Sequence, residues 1–280
     1  MTDRLRDQLR LVDGPVNLLG YPADGTPSAP GGKARTKLEL ARTGPLLAER
    51  QAMLYADGQS GGQRRILLVL QGMDTSGKDG VIKHVVGQVG PSAVRITAFK
   101  KPTPAEAAHH FLWRIRRALP PAGVIGVFNR SHYEDVLTTR VHGVIDEQTW
   151  LRRIEEINAF EAELVAAGTT VLKCLLHISY AEQRQRLLAR LTDETKQWKF
   201  NPADLVERAR WADYQVTYGD VLERTSTAVA PWYVVPSDRK WYRNWAVGQL
   251  LLETLLELDL RYPPPDYDVA EMRARLRSPH

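Results

Sequence analysis

A run of five apolar residues that leads into a glycine-rich loop constrains this chain more than any other feature of its sequence. Residues 66–70 read Ile-Leu-Leu-Val-Leu, and residues 72–78 have the spacing G-x-x-x-x-G-K. A helical pattern follows at 79–88, so the loop joins a buried strand to a helix N-terminus, where two glycines let backbone N–H groups surround an anion. The sequence therefore predicts a phosphate-binding loop; the alternative is a glycine-rich turn that carries a lysine by chance.

Apolar runs alternate with helical patterns along the rest of the chain. Runs without polar alternation are typical of strands that are buried on both faces, as in a parallel sheet. The pattern predicts an α/β fold with a doubly wound parallel sheet, whose ligands bind at the carboxyl ends of the strands. The further predicted strands are 94–99, 124–128, 171–178 and 232–235, and the clearest predicted helices are 104–119, 147–167 and 240–258.

Three segments differ from this alternation. Residues 1–62 are rich in glycine and proline around one helical stretch at 37–55, which predicts an extended arm that packs on the main domain or on a neighbouring subunit. Residues 63–262 form the main domain, and within it about 181–225 reads as two charged helices that meet near 193–201 and make a lid over the strand ends. Residues 263–280 read as a polar tail.

Composition excludes several classes of protein. A chain of 280 residues with 43% hydrophobic residues is ordinary for a globular domain, and its one cysteine excludes a disulfide-stapled fold. The longest apolar runs fall short of the roughly 20 residues that cross a bilayer, and the charged start differs from a signal peptide, so we expect a cytoplasmic protein. The net charge of +5 either solubilises the surface or, if it is concentrated in one groove, attracts a polyanion.

Two aspartates make the loop unusual. Asp79 follows the loop lysine, Lys78, where nucleotide-hydrolysing enzymes place the Ser or Thr that holds Mg²⁺. Asp74 lies within the loop, where a carboxylate repels phosphate unless a metal or a proton lies between them. Asp74 is therefore a candidate metal ligand, or a base that orients an acceptor phosphate, and the alternative is a structural role. Asp79 is either a functional group or a cap for the helix.

A second set of polar residues follows the strand at 124–128. Asn129 can coordinate a metal through its amide oxygen, and Arg130 can bind a phosphate through two donors. Glu134 and the adjacent Asp135 either hold metal and discriminate the acceptor, or only complement the dipole of the next helix. His132 and His142 face either solvent or substrate.

At this point the chain resembles the family-2 polyphosphate kinases, over about 46–262 and through four motifs in order. The segment 128–134 resembles the second motif of that family, 198–200 its lid motif, and 230–236 its last-strand motif. The loop has the family's form, both aspartates included. The residues of that loop are Gly72, Met73, Asp74, Thr75, Ser76, Gly77, Lys78, Asp79 and Gly80.

The resemblance implies a P-loop kinase fold like that of thymidylate kinases, a three-layer sandwich with a helical lid. It implies reversible phosphoryl transfer between inorganic polyphosphate and a nucleotide, with Mg²⁺, or Mn²⁺ in its place. The form of the segment 129–134 is similar to the subgroup that acts on both AMP and ADP, and guanine nucleotides are a further candidate acceptor. We also expect a homo-oligomer, a dimer or a tetramer, and no nucleic-acid or membrane partner.

On this reading the reaction depends on Asp74, Lys78 and Arg130, with Asp74 and Asn129 as metal ligands. The nucleotide is expected to contact Asn129, Arg130 and Glu134. Trp198 either stacks on the base or packs within the protein. The residues expected to hold the polymer are Lys78, Lys83, Arg186, Arg190, Lys199 and Lys240.

Two other functions compete with this one. An ATP-dependent nucleotide or nucleoside kinase shares the fold, but Asp79 stands where such an enzyme has Ser or Thr. A non-enzymatic domain that binds nucleic acid would use the same basic surplus and would show a steep salt dependence.

Overall fold

Five parallel strands lie at the centre of the computed structural model, which describes residues 4–277. All five predicted strands are confirmed, and their order across the sheet is β2-β3-β1-β4-β5. In the first strand the residues from Ile66 to Gln71 are all buried, because helices cover both faces of this central strand. The strands are β1 (Arg65–Gln71), β2 (Val94–Ala98), β3 (Ile125–Asn129), β4 (Thr169–His177) and β5 (Trp232–Pro236).

The register brings the strand ends to one edge. Leu70 on β1 lies opposite Asn129 on β3 and Cys174 on β4. Because all pairs are parallel, the loop after β1 and the polar segment after β3 leave the sheet side by side. The segment predicted as the lid begins after β4 at the same edge, so the fold brings the three predicted functional segments together.

Helices form a layer on each face of the sheet, which confirms the three-layer α/β architecture. One core lies between the sheet and the helices at 134–141, 147–166 and 211–225, and it includes Phe128 and Trp150. The other lies beneath the helices at 33–59, 78–84 and 240–257. The helices are α1 (Leu5–Leu9), α2 (Lys33–Gln59), α3 (Lys78–His84), α4 (Pro104–Ala107), α5 (Trp113–Ala118), α6 (Glu134–Val141), α7 (Glu147–Ala166), α8 (Tyr180–Thr192), α9 (Ala203–Ala209), α10 (Trp211–Thr225), α11 (Lys240–Glu257) and α12 (Val269–Arg277).

The prediction of one helix at 104–119 is wrong, because this segment contains two short helices, α4 and α5. His110 explains the interruption: its ring nitrogen Nδ1 accepts the backbone N–H of Leu112 at 3.4 Å. A side chain that bonds its own neighbouring backbone competes with helical hydrogen bonds. His110 also contacts Glu156 on α7 through Nε2, at 3.1 Å, which holds the interruption against the main body.

The segment before β1 packs along the sheet unit. Leu47 and Leu54 on α2 are fully buried in the second core, and Arg10 forms an antiparallel bridge with Tyr233 on β5. The helix predicted at 37–55 is longer, since it begins at Lys33. The boundaries at 62 and 262 stay predictions, and residues 1–3 and 278–280 of the predicted arm and tail lie outside the described part. Between residues 4 and 277 no helix combines the length and the apolar character needed to cross a membrane.

The segment predicted as a lid, 181–225, contains α8, a 3₁₀ turn at Glu194–Lys199, α9 and α10, and α10 packs into the first core, so the lid stays a prediction. Asn201 accepts the backbone N–H of Ala203 at 3.0 Å through its side chain, which starts α9 after Pro202. The expected interruption near 193–201 is therefore present as this 3₁₀ turn.

Candidate active site

The loop between β1 and α3 has a backbone that requires its two glycines. Gly72 has a φ of +142° and Gly77 a φ of +108°, a region that side chains with a Cβ rarely adopt. A Cβ on Gly72 would lie 2.6 Å from the carbonyl oxygen of Leu176, and one on Gly77 would overlap the guanidinium of Arg243. Both glycines therefore serve close packing as well as the turn itself.

Lys78 lies over this loop. Its Nζ donates to the carbonyl oxygens of Gly72 at 2.6 Å and Met73 at 3.3 Å, and only 8% of the residue is exposed. Burial lowers the pKa of Lys78 to about 8, and the nearby charge of Arg130 acts in the same direction. A bound anion would give the Lys78 ammonium a fully charged partner in place of two neutral carbonyl oxygens. Lys78 is therefore placed to bind an anion.

Two buried arginines hold the loop from the lid side and from α11. Arg186 donates through Nη1 to the carbonyl oxygens of Thr75 at 2.9 Å and Ser76 at 3.1 Å, and through Nη2 to the turn after β5. Arg243 donates through Nη1 to the same Ser76 oxygen at 3.0 Å. Burial, together with the charge of Arg186, lowers the pKa of Arg243 to about 9. The loop therefore rests on two buried cations, of which Arg186 is also paired with Glu182 at 2.8 Å.

Sequence reasoning missed Arg243. It lies on an amphipathic helix, α11, whose apolar positions explain most of its pattern. A signal was present, because Arg243 and Asn244 interrupt an aromatic run, Trp-Tyr at 241–242 and Trp245, and are both buried. A charged residue on the buried face of a helix indicates a specific partner.

The segment after β3 meets the loop through two polar contacts. Arg130, at a φ of +62°, donates through Nη2 to Asp74 at 2.5 Å. Asn129 donates through Nδ2 to Asp79 at 2.7 Å. Glu134 accepts a hydrogen bond from Gln71 at 3.0 Å and lies 3.9 Å from Arg130 Nη1. Although burial opposes it, the charges of Glu134 and Asp74 raise the pKa of Arg130.

A cavity of about 760 Å³ opens at this edge of the sheet. Lys100 and Lys101, after β2, line one side of it, which the sequence analysis did not anticipate. The loop and Arg130 lie in the middle, since β1 and β3 are central strands. The cations that line the lid side are Arg186, Arg190, Lys196, Lys199, Lys240 and Arg243.

The candidate polymer contacts divide into three groups. Arg190, Lys199 and Lys240 line the cavity with Lys78, although Arg190 also contacts the Lys199 carbonyl and Asp204. Arg186 lines the cavity too, but its guanidinium is already bonded to backbone carbonyls and to Glu182. Lys83 is exposed and lies outside the cavity lining.

Trp198 is also outside the lining and is 78% exposed, with its indole N–H donated to the Thr195 carbonyl. His132 is fully buried and contacts Glu161, while His142 pairs with Glu207 at 3.0 Å. Both imidazoles therefore have protein partners.

Asp135, the other acid considered beside Glu134, points away from the loop. It contacts Arg114 at 3.4 Å, and burial raises its pKa although Arg114 opposes the rise. Glu134 is the acid of this pair that faces the loop.

The donor set suits a hard divalent cation that shares its shell with substrate. In residues 4–277 no group of three or more His, Cys, Asp or Glu side chains is placed to hold a metal alone. Asp74, Asp79 and the amide of Asn129 supply oxygen ligands at the loop, and Mg²⁺ is commonly held by one or two carboxylates plus phosphate oxygens and water. These residues fit Mg²⁺ when a phosphate substrate completes the coordination.

Comparison with known proteins gives a consistent set of similarities. The family model described as polyphosphate kinase 2 matches residues 32–261. An AMP/ADP-polyphosphate phosphotransferase of Meiothermus ruber is 45% identical over 254 residues, which are 91% of this chain and 94% of that protein. An ADP-polyphosphate phosphotransferase of Rhodopseudomonas palustris is 42% identical, over 80% of this chain and 81% of the relative.

A solved structure is similar over nearly the whole chain. The crystal structure of polyphosphate kinase 2 from Arthrobacter aurescens superposes with a TM-score of 0.96 at 48% identity, and the match covers 98% of this chain and 96% of that one.

Proposed function

Because the chain belongs to the polyphosphate kinase 2 family, we propose that it is an enzyme that transfers a phosphoryl group between inorganic polyphosphate and AMP or ADP. The observation that carries the proposal is the cavity, in which Lys78 and Arg130 lie between two groups of cations. The similarity to an AMP/ADP-polyphosphate and an ADP-polyphosphate phosphotransferase supports the same reaction.

The order of the strands suggests how the two substrates are arranged. Lys100, Lys101 and Arg130 lie on the β2 and β3 side of the loop, while the cations of the lid and α11 lie on the β4 and β5 side. In-line transfer needs donor and acceptor phosphates on opposite sides of the transferring group. We assign the nucleotide to the first side and the polymer to the second.

Within this arrangement Lys78 and Arg130 stabilise the charge of the transferring phosphoryl group. Positioned cations that are excluded from water lower a phosphoryl-transfer barrier without forming covalent bonds. Arg130 is presented by a strained backbone and is aimed by two carboxylates, so its guanidinium is already directed at the loop. A substrate phosphate that enters would compete with Asp74 for Arg130.

The metal is proposed to contact Asp74 and Asn129, beside Asp79. When bound there, Mg²⁺, or Mn²⁺ in its place, would neutralise phosphate charge. Asp74 would then exchange its contact with Arg130 for the metal, and would orient the terminal phosphate of the nucleotide.

The remaining substrate contacts are assigned from the cavity lining. We propose that Arg190, Lys199 and Lys240 bind the polymer, whose repeating charge needs cations and offers no base to read. Arg186 acts mainly by supporting the loop. Lys83 and the stacking of Trp198 on the base stay predictions, because both residues are exposed and lie outside the cavity lining.

The proposal includes both AMP and ADP as acceptors. Asn129 lines the cavity and Glu134 lies 3.9 Å from Arg130 beside it, and a neutral Asn129 repels an incoming phosphate less than an aspartate would. The similarity to the AMP/ADP-polyphosphate phosphotransferase of Meiothermus ruber supports this assignment. Guanine acceptors, a homo-oligomeric state and a cytoplasmic location stay predictions.

One experiment tests the proposal against an ATP-dependent kinase. The protein is incubated with Mg²⁺ and AMP, ADP or GDP, with polyphosphate as the donor. A parallel reaction contains AMP with ATP as the donor and no polyphosphate, and the nucleotide products of all reactions are separated by chromatography. We expect ADP and ATP from AMP plus polyphosphate. Product from AMP plus ATP in the absence of polyphosphate, and none with polyphosphate, would overturn the proposal in favour of the ATP-dependent enzyme.

A further inference from the structure

A lysine and a glutamate form an ion pair that lies wholly inside the protein, behind the turn that carries Arg130. Lys173 on β4 is fully buried, and Glu161 on α7 is 1% exposed. The Lys173 Nζ donates to Glu161 Oε2 at 2.6 Å, to the Tyr133 hydroxyl at 2.9 Å and to the Thr225 carbonyl at 2.7 Å. All three donors of the ammonium are therefore satisfied.

The glutamate connects this pair to the segment between β3 and α6. Its Oε1 accepts the Tyr133 hydroxyl at 2.8 Å and contacts His132 Nε2 at 3.3 Å. Tyr133 is fully buried and packs edge-on against Trp232, with ring centroids 4.7 Å apart. Tyr133 directly precedes Glu134, so this hydroxyl fixes the start of α6 from the side opposite the cavity.

The same ammonium reaches the end of the lid. Thr225 is the last residue of α10, and its carbonyl is one of the three acceptors of Lys173. An earlier residue of that helix, Tyr218, is buried close to the site: burial and the charge of Glu134 raise its pKa. Lys173 therefore ties the lid's returning helix to the turn that presents Arg130 and Glu134.

Stability alone does not account for such a pair. Removing two charges from water is costly, and apolar residues of similar volume often stabilise a core as well or better. Hydrogen bonds are directional, whereas apolar packing is not, so the pair contributes a defined orientation. Arg130 needs such a defined orientation, because a residue other than glycine keeps a positive φ only where the surrounding structure holds it.

We propose that Lys173, Glu161 and Tyr133 are positioning residues, which hold Arg130 and Glu134 in register with the loop at 72–80 and with the lid. This inference rests on the proposed function, since it concerns the alignment of the phosphoryl-transfer site. None of the three residues lines the cavity described above, so each acts through Arg130 and Glu134.

Two variants separate positioning from stability. Tyr133→Phe removes one hydroxyl and keeps the ring, and its matched control is Tyr242→Phe, because Tyr242 is also fully buried and donates one hydrogen bond, to the Pro27 carbonyl at 3.0 Å, in the other core. The second variant, Lys173→Met with Glu161→Met and Tyr133→Phe, replaces the pair with apolar groups of similar volume. Thermal unfolding, kcat, and the KM values for polyphosphate and nucleotide are measured for each.

We expect Tyr133→Phe to lower kcat by about 10-fold and the triple variant by up to about 100-fold, the scale of a misaligned reacting group. The polyphosphate KM should change less than about 3-fold, because the lid cations are untouched. The triple variant should unfold at a higher temperature than Lys173→Met alone, which leaves the buried Glu161 carboxylate without the ammonium that balances its charge. Tyr242→Phe should keep the wild-type kcat.

The outcomes distinguish the inference from the function on which it rests. A wild-type protein without turnover overturns the proposed function, and this inference with it. Active wild-type protein with a triple variant that is folded and has wild-type kcat overturns the inference alone. If kcat rises together with the unfolding temperature from Lys173→Met to the triple variant, the inference is also overturned, because the three residues would then act only on stability.

Discussion

The Arg130 guanidinium and the Asp74 carboxylate meet at 2.5 Å, although 56 residues separate them in the chain. They follow β3 and β1, which are neighbours in the sheet, so the strand order alone brings them together. Each is the other's partner in the absence of substrate. Both side chains remain partly exposed, at 39% for Arg130 and 23% for Asp74, so a phosphate or a metal can reach either one.

Asp74→Asn should lose turnover by about 10² to 10³-fold, the range for removing one electrostatic group from a transition state. The amide keeps the shape but loses the charge, so the Mg²⁺ concentration that gives half-maximal rate should rise. A Mg²⁺ titration of the rate measures this. Asp57→Asn is the matched control, because it disrupts another Asp–Arg pair, with Arg64 at 2.6 Å, outside the cavity lining. Equal loss in both variants would contradict a catalytic role for Asp74.

Gly77→Ala should abolish turnover and lower the unfolding temperature. The new Cβ would meet Arg243, and the φ of +108° is strained for alanine. Gly61→Ala tests the effect of backbone strain alone, since Gly61 has a φ of +90° with open space around it. It should lower the free energy of unfolding by only about 1–2 kcal/mol. Calorimetry with a turnover assay compares them. A Gly77→Ala protein as active as Gly61→Ala would show that the loop tolerates displacement of Arg243.

Two lid cations should behave differently when each is replaced by alanine. Lys199→Ala should raise the polyphosphate KM by on the order of 5-fold and weaken its salt dependence, because Lys199 is exposed in the cavity wall. Arg186→Ala should lower both kcat and the unfolding temperature, because the Thr75 carbonyl loses this donor and the Ser76 carbonyl keeps only Arg243. Steady-state kinetics at several salt concentrations separate the two effects.

Arg184→Ala is the control for both, since Arg184 is exposed on the same helix as Arg186 and lies outside the cavity lining. If Arg186→Ala raises only the KM for polyphosphate and leaves kcat and the unfolding temperature unchanged, Arg186 acts as a polymer ligand.

The acceptor range should depend on Asn129 and Glu134. Wild type should convert AMP to ADP and then to ATP with polyphosphate and Mg²⁺. Asn129→Asp places a carboxylate against Asp79, where the amide now donates at 2.7 Å, so it should bias the enzyme toward one acceptor. Glu134→Ala should depress one step more than the other. Time courses of both products test this, and equal loss of both steps in both variants would mean that these residues do not set the acceptor range.

The pH dependence of kcat/KM for polyphosphate should follow the ionisation of Lys78. Its pKa of about 8 in the free protein lies below the ordinary lysine value, so the ammonium is lost as pH rises through 8 and kcat/KM for polyphosphate should fall there. A bound polyanion favours the charged form, so kcat at saturation should fall only at higher pH.

Lys78→Ala should lose about 10²-fold in turnover with the fold intact. Lys78→Arg should keep its charge throughout this range, so any residual activity should lack the fall near pH 8. A fall near pH 8 in Lys78→Arg would assign the titration to another group.

Local patterns in the sequence determined the sheet, the loop and the order of the motifs. β1 and β3 are nearly continuous apolar runs, and Gly72 to Lys78 is a contiguous spacing, so each can be read without knowing what it packs against. β2, with the sequence Val-Arg-Ile-Thr-Ala, and β4, which contains Lys173, are less uniform. The α4–α5 interruption was missed because it depends on a side-chain contact of His110 that no periodicity contains.

Tertiary structure decided which polar side chains meet. The carbonyl of Ser76 receives Arg186 from 110 residues away and Arg243 from 167 residues away, and Lys173 finds Glu161, Tyr133 and Thr225 on three separate elements. The sequence suggested Arg186 as a polymer ligand because a charged residue on a helix looks alike whether it faces substrate or backbone. A buried charge is stable only with its partners in place, and those partners are chosen by how the elements pack, which the linear order of residues does not contain.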